Sequence, residues 1–464
     1  WELNAGSPDG QTANGSANEY ALRSFFGRLT YDYDNRYLVE ANIRRDGTSR
    51  IFKDSRWGVF PSFSGAWRII NEPFMEGTRN VLSDLKLRGG WGILGNQAIS
   101  YYSYQSVLDQ ANYSFGGTVV QGVAPVDGAN RNLVWETTET LNFGLDMGFL
   151  GNQYTLSIEG YRKLTYDILM KLPVSTLYGL NAPYQNAGKV KNTGFEMTAG
   201  YKLNTHGWNF QVSANAAYNK NEVLDLKNGG ARIWSGKYFN QEGYAINSIG
   251  GYIAEGLFKT EEEVANSATI PGTETAPGDI KYRDINNDGK IDGEDRVYIG
   301  NTMPKWTFGL NLFAEWKGFD ATFLFQGAAD VQGYLAGPGV VGEMIGAKGK
   351  PSYMYRDCWD AETNPNGKFP RAFSSYRQNN SIYNPSSFWI VNSSYLRLKN
   401  FQLGYTLPKE WCNVMGISRI RVYYSGQNLL TFTKFDKGFD PESPEGGSSY
   451  PQVKTNTFGL NITF

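Results

Sequence analysis

The sequence predicts an all-β protein, a transmembrane antiparallel β-barrel of about 13 strands with long extracellular loops. Three observations carry that prediction. The last stretch, Thr455–Phe464, sets Phe458, Leu460, Ile462 and Phe464 against Thr457, Gly459, Asn461 and Thr463. Period two gives one apolar and one polar face, and the length suits a bilayer crossed at a tilt. Second, the same alternation recurs along the chain, with connections that are short, then long, then short, as in outer-membrane barrels. Third, 15% of the residues are aromatic and 54 are glycine, yet mean hydropathy is −0.45 and no apolar run reaches the length of a membrane helix. A long apolar strand at a sheet edge aggregates, and closure into a barrel removes the edge. A soluble β-sandwich shares the alternation but not the segment length or the aromatic ends.

The elements follow in order. Residues 1–20 are rich in Gly, Ser and Asn and read as loop. Phe25, Gly27, Leu29, Tyr31 and Tyr33 form one face of a first strand. After the tight turn Asp34-Asn35-Arg36, Tyr37, Val39, Ala41 and Ile43 face outward, opposite Glu40, Asn42 and Arg44. Arg44-Arg45-Asp46-Gly47 reads either as lumen-facing strand or as a turn. A third strand follows from Trp57, and a fourth lies near Leu85–Gly95. A loop over 96–134 precedes the fifth strand, in which Leu141, Phe143, Leu145, Met147 and Phe149 alternate with Asn142, Gly144, Asp146 and Gly148. Tyr154–Ile158, Phe195–Leu203 and Trp208–Tyr218 continue the series. Insertions over 221–303 and 327–392 flank the ninth and tenth strands, Trp306–Trp316 and Phe319–Phe325. The eleventh, Tyr395–Leu407, changes parity between Leu398 and Phe401, which predicts a bulge near Lys399-Asn400. If the short turns are periplasmic, an odd count starts outside and ends inside at Phe464. Single-chain bacterial barrels normally have even strand numbers, so this parity implies a carboxy-terminal portion completed by further strands.

The near-neutral net charge of −1 argues against a nucleic-acid partner. Cys358 and Cys412 are too far apart in sequence to suggest a disulfide framework or a zinc site. His206, the single histidine, falls in the turn Asn204-Thr205-His206-Gly207 and leaves no base for serine or cysteine catalysis, so no catalytic residue is assigned. The sharpest motif is D-I-N-N-D-G-K-I-D-G-E-D, residues 284–295. Asp284, Asn286, Asp288, the carbonyl of Lys290, Asp292 and Asp295 have the spacing of an EF-hand-type calcium loop, with Gly289 at its sharp turn. All are hard oxygen donors, which suit Ca²⁺. The last position is Asp rather than Glu, and the flanks look extended rather than helical. The metal would stiffen an outer loop. Tyr101, Tyr102, Tyr104 and Tyr113, with Phe115, are candidate substrate contacts in the first long loop, where aromatic faces could stack on sugars or grip peptides. The alternative is that the loop packs on itself.

Several blocks carry a resemblance. A-N-I-R-R-D-G-T-S-R-I-F-K-D-S-R-W-G-V-F-P-S-F-S-G-A-W-R-I at 41–69, R-G-G-W-G-I-L-G-N-Q at 88–97 and N-T-G-F-E-M at 192–197 resemble SusC/RagA-type TonB-dependent outer-membrane transporters of Bacteroidetes. Residues 278–301, 394–408 and 426–442 extend the likeness in the same order. The resemblance implies a barrel of about 22 strands with an amino-terminal plug and a TonB box. It further implies a SusD-like surface lipoprotein as lid, and TonB-powered uptake of oligosaccharides or oligopeptides. On that basis residues 1–464 correspond to the carboxy-terminal part of the barrel, with the plug and early strands lying in another polypeptide or in the remainder of a longer one. The expected partners are that amino-terminal portion, the lipoprotein lid, the TonB complex acting through the portion not seen, and outer-membrane lipid. The calcium-type loop falls on 284–295 in the resemblance as well. The rival readings are a passive porin, a metal-chelate receptor and an extracellular glycan-binding β-protein.

Overall fold

Each alternating run pairs antiparallel with its neighbour in the chain, so the strands zip up in sequence order. In the computed structural model they are Leu22–Tyr33, Tyr37–Thr48, Trp57–Arg68, Leu82–Asn96, Glu136–Phe149, Tyr154–Tyr166, Lys189–Thr205, Trp208–Asp225, Trp306–Trp316, Phe319–Ala329, Tyr395–Thr406, Arg419–Thr433 and Thr455–Thr463. These 13 strands make one continuous sheet. Its first and last strands each have a single neighbour and do not pair with each other. The structure describes residues 10, 15, 17–335, 357–372, 384–414, 416–435, 439–443, 450 and 452–464. Most of the amino-terminal loop, residues 336–356 and 373–383 of the second insertion, and parts of the last long loop lie outside the described residues.

The turns explain the tight pairing. Thr205 pairs with Trp208 and Trp316 with Phe319, leaving two-residue turns. Their central residues, His206 with Gly207 and Lys317 with Gly318, all have positive φ. That is the handedness that matches the twist of paired strands. The segment 69–81, with its short 3-10 turns, lies on the same rim: Arg68 N–H donates to the Arg36 carbonyl at 2.7 Å and Leu150 N–H to the Val81 carbonyl at 2.8 Å. The two-residue turns and the segment 69–81 therefore share one edge of the sheet, and the long insertions share the other.

The apolar side of the sheet is bare. Leu29, Phe143, Phe458 and Phe464 are 71%, 62%, 83% and 87% exposed. Aromatic rows border both ends of this face. At the short-turn rim Trp208 stacks on Trp316 at 5.1 Å and Phe319 meets Tyr405 at 4.5 Å. At the other rim Phe25 stacks on Trp57 at 6.1 Å and Tyr218 meets Trp306 at 5.0 Å. A bare apolar band between two aromatic girdles is the surface of a lipid-facing wall. The bulge falls where the parity change placed it. Leu398 pairs with Phe325 and Phe401 with Phe323, while Lys399 is skipped, so Leu398 and Phe401 share a face.

The strands reach further than the alternation alone suggested. The second runs through Arg44–Gly47 to Thr48, so that stretch is strand and not turn, and the eighth runs to Asp225. The insertions are also more ordered than loops. A four-stranded sheet forms from Ile233–Ser235, Tyr238–Asn240, Ser248–Gly251 and Val297–Gly300. It contributes Ile249 and Ile299 to a core completed by Tyr252, Ile280, Tyr282, Ile291, Tyr334, Cys358 and Trp389. Both insertions contribute to that core. Tyr252 N–H donates to the Pro385 carbonyl at 2.8 Å, and Arg371 Nε to the buried Asp279 carboxylate at 2.7 Å. Burial pushes the Tyr282 and Tyr334 phenols well up, and the Cys358 thiol up to about 11, so Cys358 stays a packed thiol rather than a nucleophile.

Candidate functional site: the polar face of the wall and the acidic loop

Period two places Arg28, Glu40, Asn42, Ser62, Arg88, Asn142, Asp146 and Glu159 on the side opposite the apolar band. There they bond to one another. Arg28 Nη2 lies 2.5 Å from Glu40 Oε2, and Asn42 Nδ2 donates to Glu40 Oε1 at 2.9 Å. Arg88 Nε lies 3.2 Å from Asp146 Oδ2 and its Nη1 bonds Glu159. Lys86 and Ser157 also reach Asp146, at 3.2 and 2.7 Å. Further round, Arg421 Nη2 lies 2.5 Å from Asp320 Oδ2, and Gln402 accepts from the same nitrogen at 3.0 Å. A hollow of about 600 Å³ lies against Thr30, Asp32, Glu40, Ser64, Lys86 and Arg88. Such a surface is wettable, and its paired charges bias it weakly toward either sign of solute.

At the long-loop end one network closes over the wall. Arg397 is nearly buried and holds Asp440 and Glu442, each at 2.7 Å, while Lys399 reaches Glu442 at 3.2 Å. Asp440-Pro441-Glu442 belongs to the last long loop, so this ion cluster fastens that loop to the eleventh strand. Sequence reasoning did not single out Arg397; its only signal was polar parity above the bulge. The pair of Asp279 and Arg371, separated by a long stretch of chain, had no sequence signal at all.

The acidic loop has the turn that its glycine predicts and extended flanks, Ile280–Tyr282 and Val297–Gly300. Asp284 Oδ1 accepts from Asn287 N–H at 2.6 Å and its Oδ2 from Gly289 N–H at 2.8 Å; Gly289 has φ of 84°. Asn286 accepts from Asp288 N–H at 3.1 Å and Asp288 from Lys290 N–H at 3.0 Å. Asp295 is fully buried and accepts from Ile285 and Asp292 N–H groups at 2.7 and 2.8 Å. Ile291 anchors the loop in the outer core. Lys290 Nζ lies 3.2 Å from Asp288 and 3.9 Å from Asp292. The Lys290 amide and ammonium hold the Asp288 carboxyl below the usual range. The donor set is of the kind a hard cation takes, and the backbone has the required turn. The oxygens face the loop's own amides, and no group of three acidic, His or Cys side chains converges at metal distance among the described residues.

The tyrosines separate. Tyr101 lies 6.4 Å from Tyr102 and 6.2 Å from Tyr20, with the Arg50 guanidinium 4.7 Å from the Tyr101 ring. Tyr104 meets Phe52 at 5.8 Å. Tyr113 instead packs on Phe115 at 4.9 Å, on a two-stranded hairpin formed by Leu108–Phe115 and Thr118–Pro125. Tyr104 and Tyr113 thus sit on neighbours of their own, Tyr113 drawn into local β pairing. His206 is exposed on its turn, where its Nδ1 meets the Thr205 hydroxyl at 2.7 Å.

Known proteins resemble this chain over nearly its whole length. Residues 2–429 match the family described as TonB dependent receptor-like, beta-barrel. The chain belongs to that family. The TonB-dependent receptor SusC of Bacteroides thetaiotaomicron is 33% identical over 491 residues, covering 98% of this chain and 44% of SusC. TonB-dependent receptor P3 of Formosa agariphila is 32% identical over 471 residues, covering 96% and 46%. The solved RagAB peptide transporter superposes with a TM-score of 0.79 at 28% identity, covering 98% of this chain and 50% of the other. The chain thus spans about half the length of the relatives it matches. This TonB-dependent receptor barrel is of the SusC/RagA type, and its wall belongs to the outer membrane of a Gram-negative bacterium.

Proposed function

We propose that this chain is the carboxy-terminal part of the wall of an active importer for oligosaccharides or oligopeptides, driven through TonB and covered by a SusD-like surface lipoprotein. The observation that carries the reading is the polarity of the sheet: lipid-compatible outside, hydrated and charge-balanced inside, with an ordered body of loops at one rim. The bare first and thirteenth edges take further strands from the amino-terminal portion of the receptor, which also supplies the plug and TonB box. The outer body and the tyrosines Tyr101, Tyr102, Tyr104 and Tyr113 meet the lid and the cargo. Calcium, held by Asp284, Asn286, Asp288, the Lys290 carbonyl, Asp292 and Asp295, neutralises the acidic loop and stiffens that body.

The test uses the full-length receptor, tagged and isolated in detergent from its own membrane. A copurifying surface lipoprotein and an oligosaccharide or oligopeptide retained between the two are expected. Uptake of that cargo by cells should stop when the proton-motive force is collapsed. Uptake that continues unchanged after collapse would make the protein a passive porin instead.

A further inference from the structure

Arginines on the two sides of the wall are treated differently. On the polar side Arg28, Arg44, Arg88, Arg397 and Arg421 each have a carboxylate within ion-pair distance. On the apolar side, at the long-loop end, Arg23 and Arg45 are exposed and have no ion pair among the described residues. Register fixes their side: Arg23 shares the face of Phe25, Leu29 and Tyr31, and Arg45 that of Val39 and Ile43, opposite Val59 on the third strand. Their heads are held by rings. The Arg23 guanidinium lies 5.0 Å from the Phe25 ring and that of Arg45 4.8 Å from the Trp57 ring, while Phe25 stacks on Trp57. Arg162 is likewise exposed, on the outward face beside Leu141, without an ion pair among the described residues.

An unpaired cation on a lipid-facing surface is costly unless it reaches the headgroup layer. Arg23 and Arg45 stand at the aromatic girdle that marks that layer. A planar guanidinium matches phosphate with two parallel N–H donors, and the aromatic faces restrict its rotamers beforehand. We propose that Arg23 and Arg45, on the Phe25–Trp57 shelf, form a docking surface for the phosphate of an anionic glycolipid in the outward leaflet. The rings take the first acyl carbons and the two guanidinium forks take the phosphate. The occupant is a lipid rather than a protein because the face is continuous with the apolar band below it. This rests on the reading of that band as lipid-facing.

The experiment uses the full-length receptor in a neutral detergent, with monophosphorylated lipid A and the same lipid after enzymatic removal of its phosphate as probes. The phosphorylated lipid should bind the wild type more tightly than the dephosphorylated one. R23Q/R45Q should weaken the phosphorylated probe by roughly thirtyfold, at about fivefold per arginine, and leave the dephosphorylated probe unchanged. Equal binding of the two probes to the wild type overturns the proposal without need of any variant. So does a double variant that binds the phosphorylated lipid as well as the wild type, or displacement of the lipid by millimolar inorganic phosphate, which would mark a site for the free ion. Heat-modifiable migration of each sample separates this from the parent reading. A receptor that migrates as a barrel but lacks phosphate preference fails only the headgroup proposal, whereas one that needs no detergent fails the wall itself.

Discussion

The wall and the outer body use the same kinds of side chain in opposite ways. In the wall, Leu29, Phe143 and Phe458 are 71%, 62% and 83% exposed. In the body built from the insertions, Phe239, Ile249 and Ile280 are completely buried. The wall is held mainly by backbone ladders, whose pairing needs no apolar core because hydrocarbon solvates the outside. The outer body sits in water and must bury its own apolar groups in a core. Charges follow the same division. Wall carboxylates such as Asp146 face a wet lumen in partly exposed pairs, whereas Asp279 is sealed and requires Arg371. A buried charge stripped of its partner is far more destabilising than an exposed one.

The sharpest separation of the two regions comes from Phe239→Ala. Phe239 packs 5.3 Å from Trp234 and 5.4 Å from Tyr244. Its loss should cost the outer body about 3–5 kcal/mol. Limited proteolysis should then cut within residues 225–306 while heat-modifiable migration of the receptor persists. If the wall melts together with the body, the two are one cooperative unit and the contrast fails. Next is Leu29→Arg. On a water-exposed surface this change is nearly neutral. In the hydrocarbon band it should cost about 2–4 kcal/mol, read by denaturant titration of the receptor in lipid bilayers. An unchanged midpoint would mean that Leu29 meets water.

That asymmetry also explains what could be read from the chain beforehand. Wall strands were legible because period two is a local signal, and a bilayer outside makes the apolar half of it long and regular. Even the bulge at Lys399 could be read, since a skipped residue reverses parity. The outer body reads as loops in the sequence because its strands, such as Tyr238–Asn240, are too short to show a period. Its core joins residues as distant as Ile249 and Trp389, and nothing local announces such a contact. The acidic loop lay between these cases. Its spacing and its Gly289 turn were visible, but the way each carboxylate accepts from the loop's own amides is a matter of three-dimensional geometry.

A smaller effect tests whether the acidic loop stiffens the outer body alone. Calcium at about a hundredfold its dissociation constant should stabilise that body by about 2.7 kcal/mol. The protease-cleavage midpoint within 225–306 should rise with calcium and fall with chelator, and D284A should remove the response. The wall's melting should not move. A calcium response undiminished in D284A would place the ion elsewhere.

The smallest effect concerns the opposite rim, where Glu72 joins the segment after the third strand to the wall. Tyr37 Oη donates to Glu72 Oε1 at 2.6 Å and Trp67 Nε1 donates to the same oxygen at 2.9 Å, with Arg36 Nη1 3.7 Å from the other. The Tyr37 hydrogen bond, then that of Trp67, hold the Glu72 carboxyl below its ordinary range, against the opposing effect of burial. A carboxyl lowered in the folded state binds fewer protons there than when unfolded, so its contribution is complete above the ordinary glutamate range, near pH 4.3. It is lost as pH falls through the lowered folded value. Glu72→Gln keeps the shape and removes the charge. Wild type should therefore be modestly more stable than the variant at pH 7, and the gap should close as the medium is acidified below about pH 4. Proteolysis across residues 69–81 reads this rim separately from the outer body. A gap that stays constant into acid would mean that shape, and not the carboxylate's charge, secures this end of the wall.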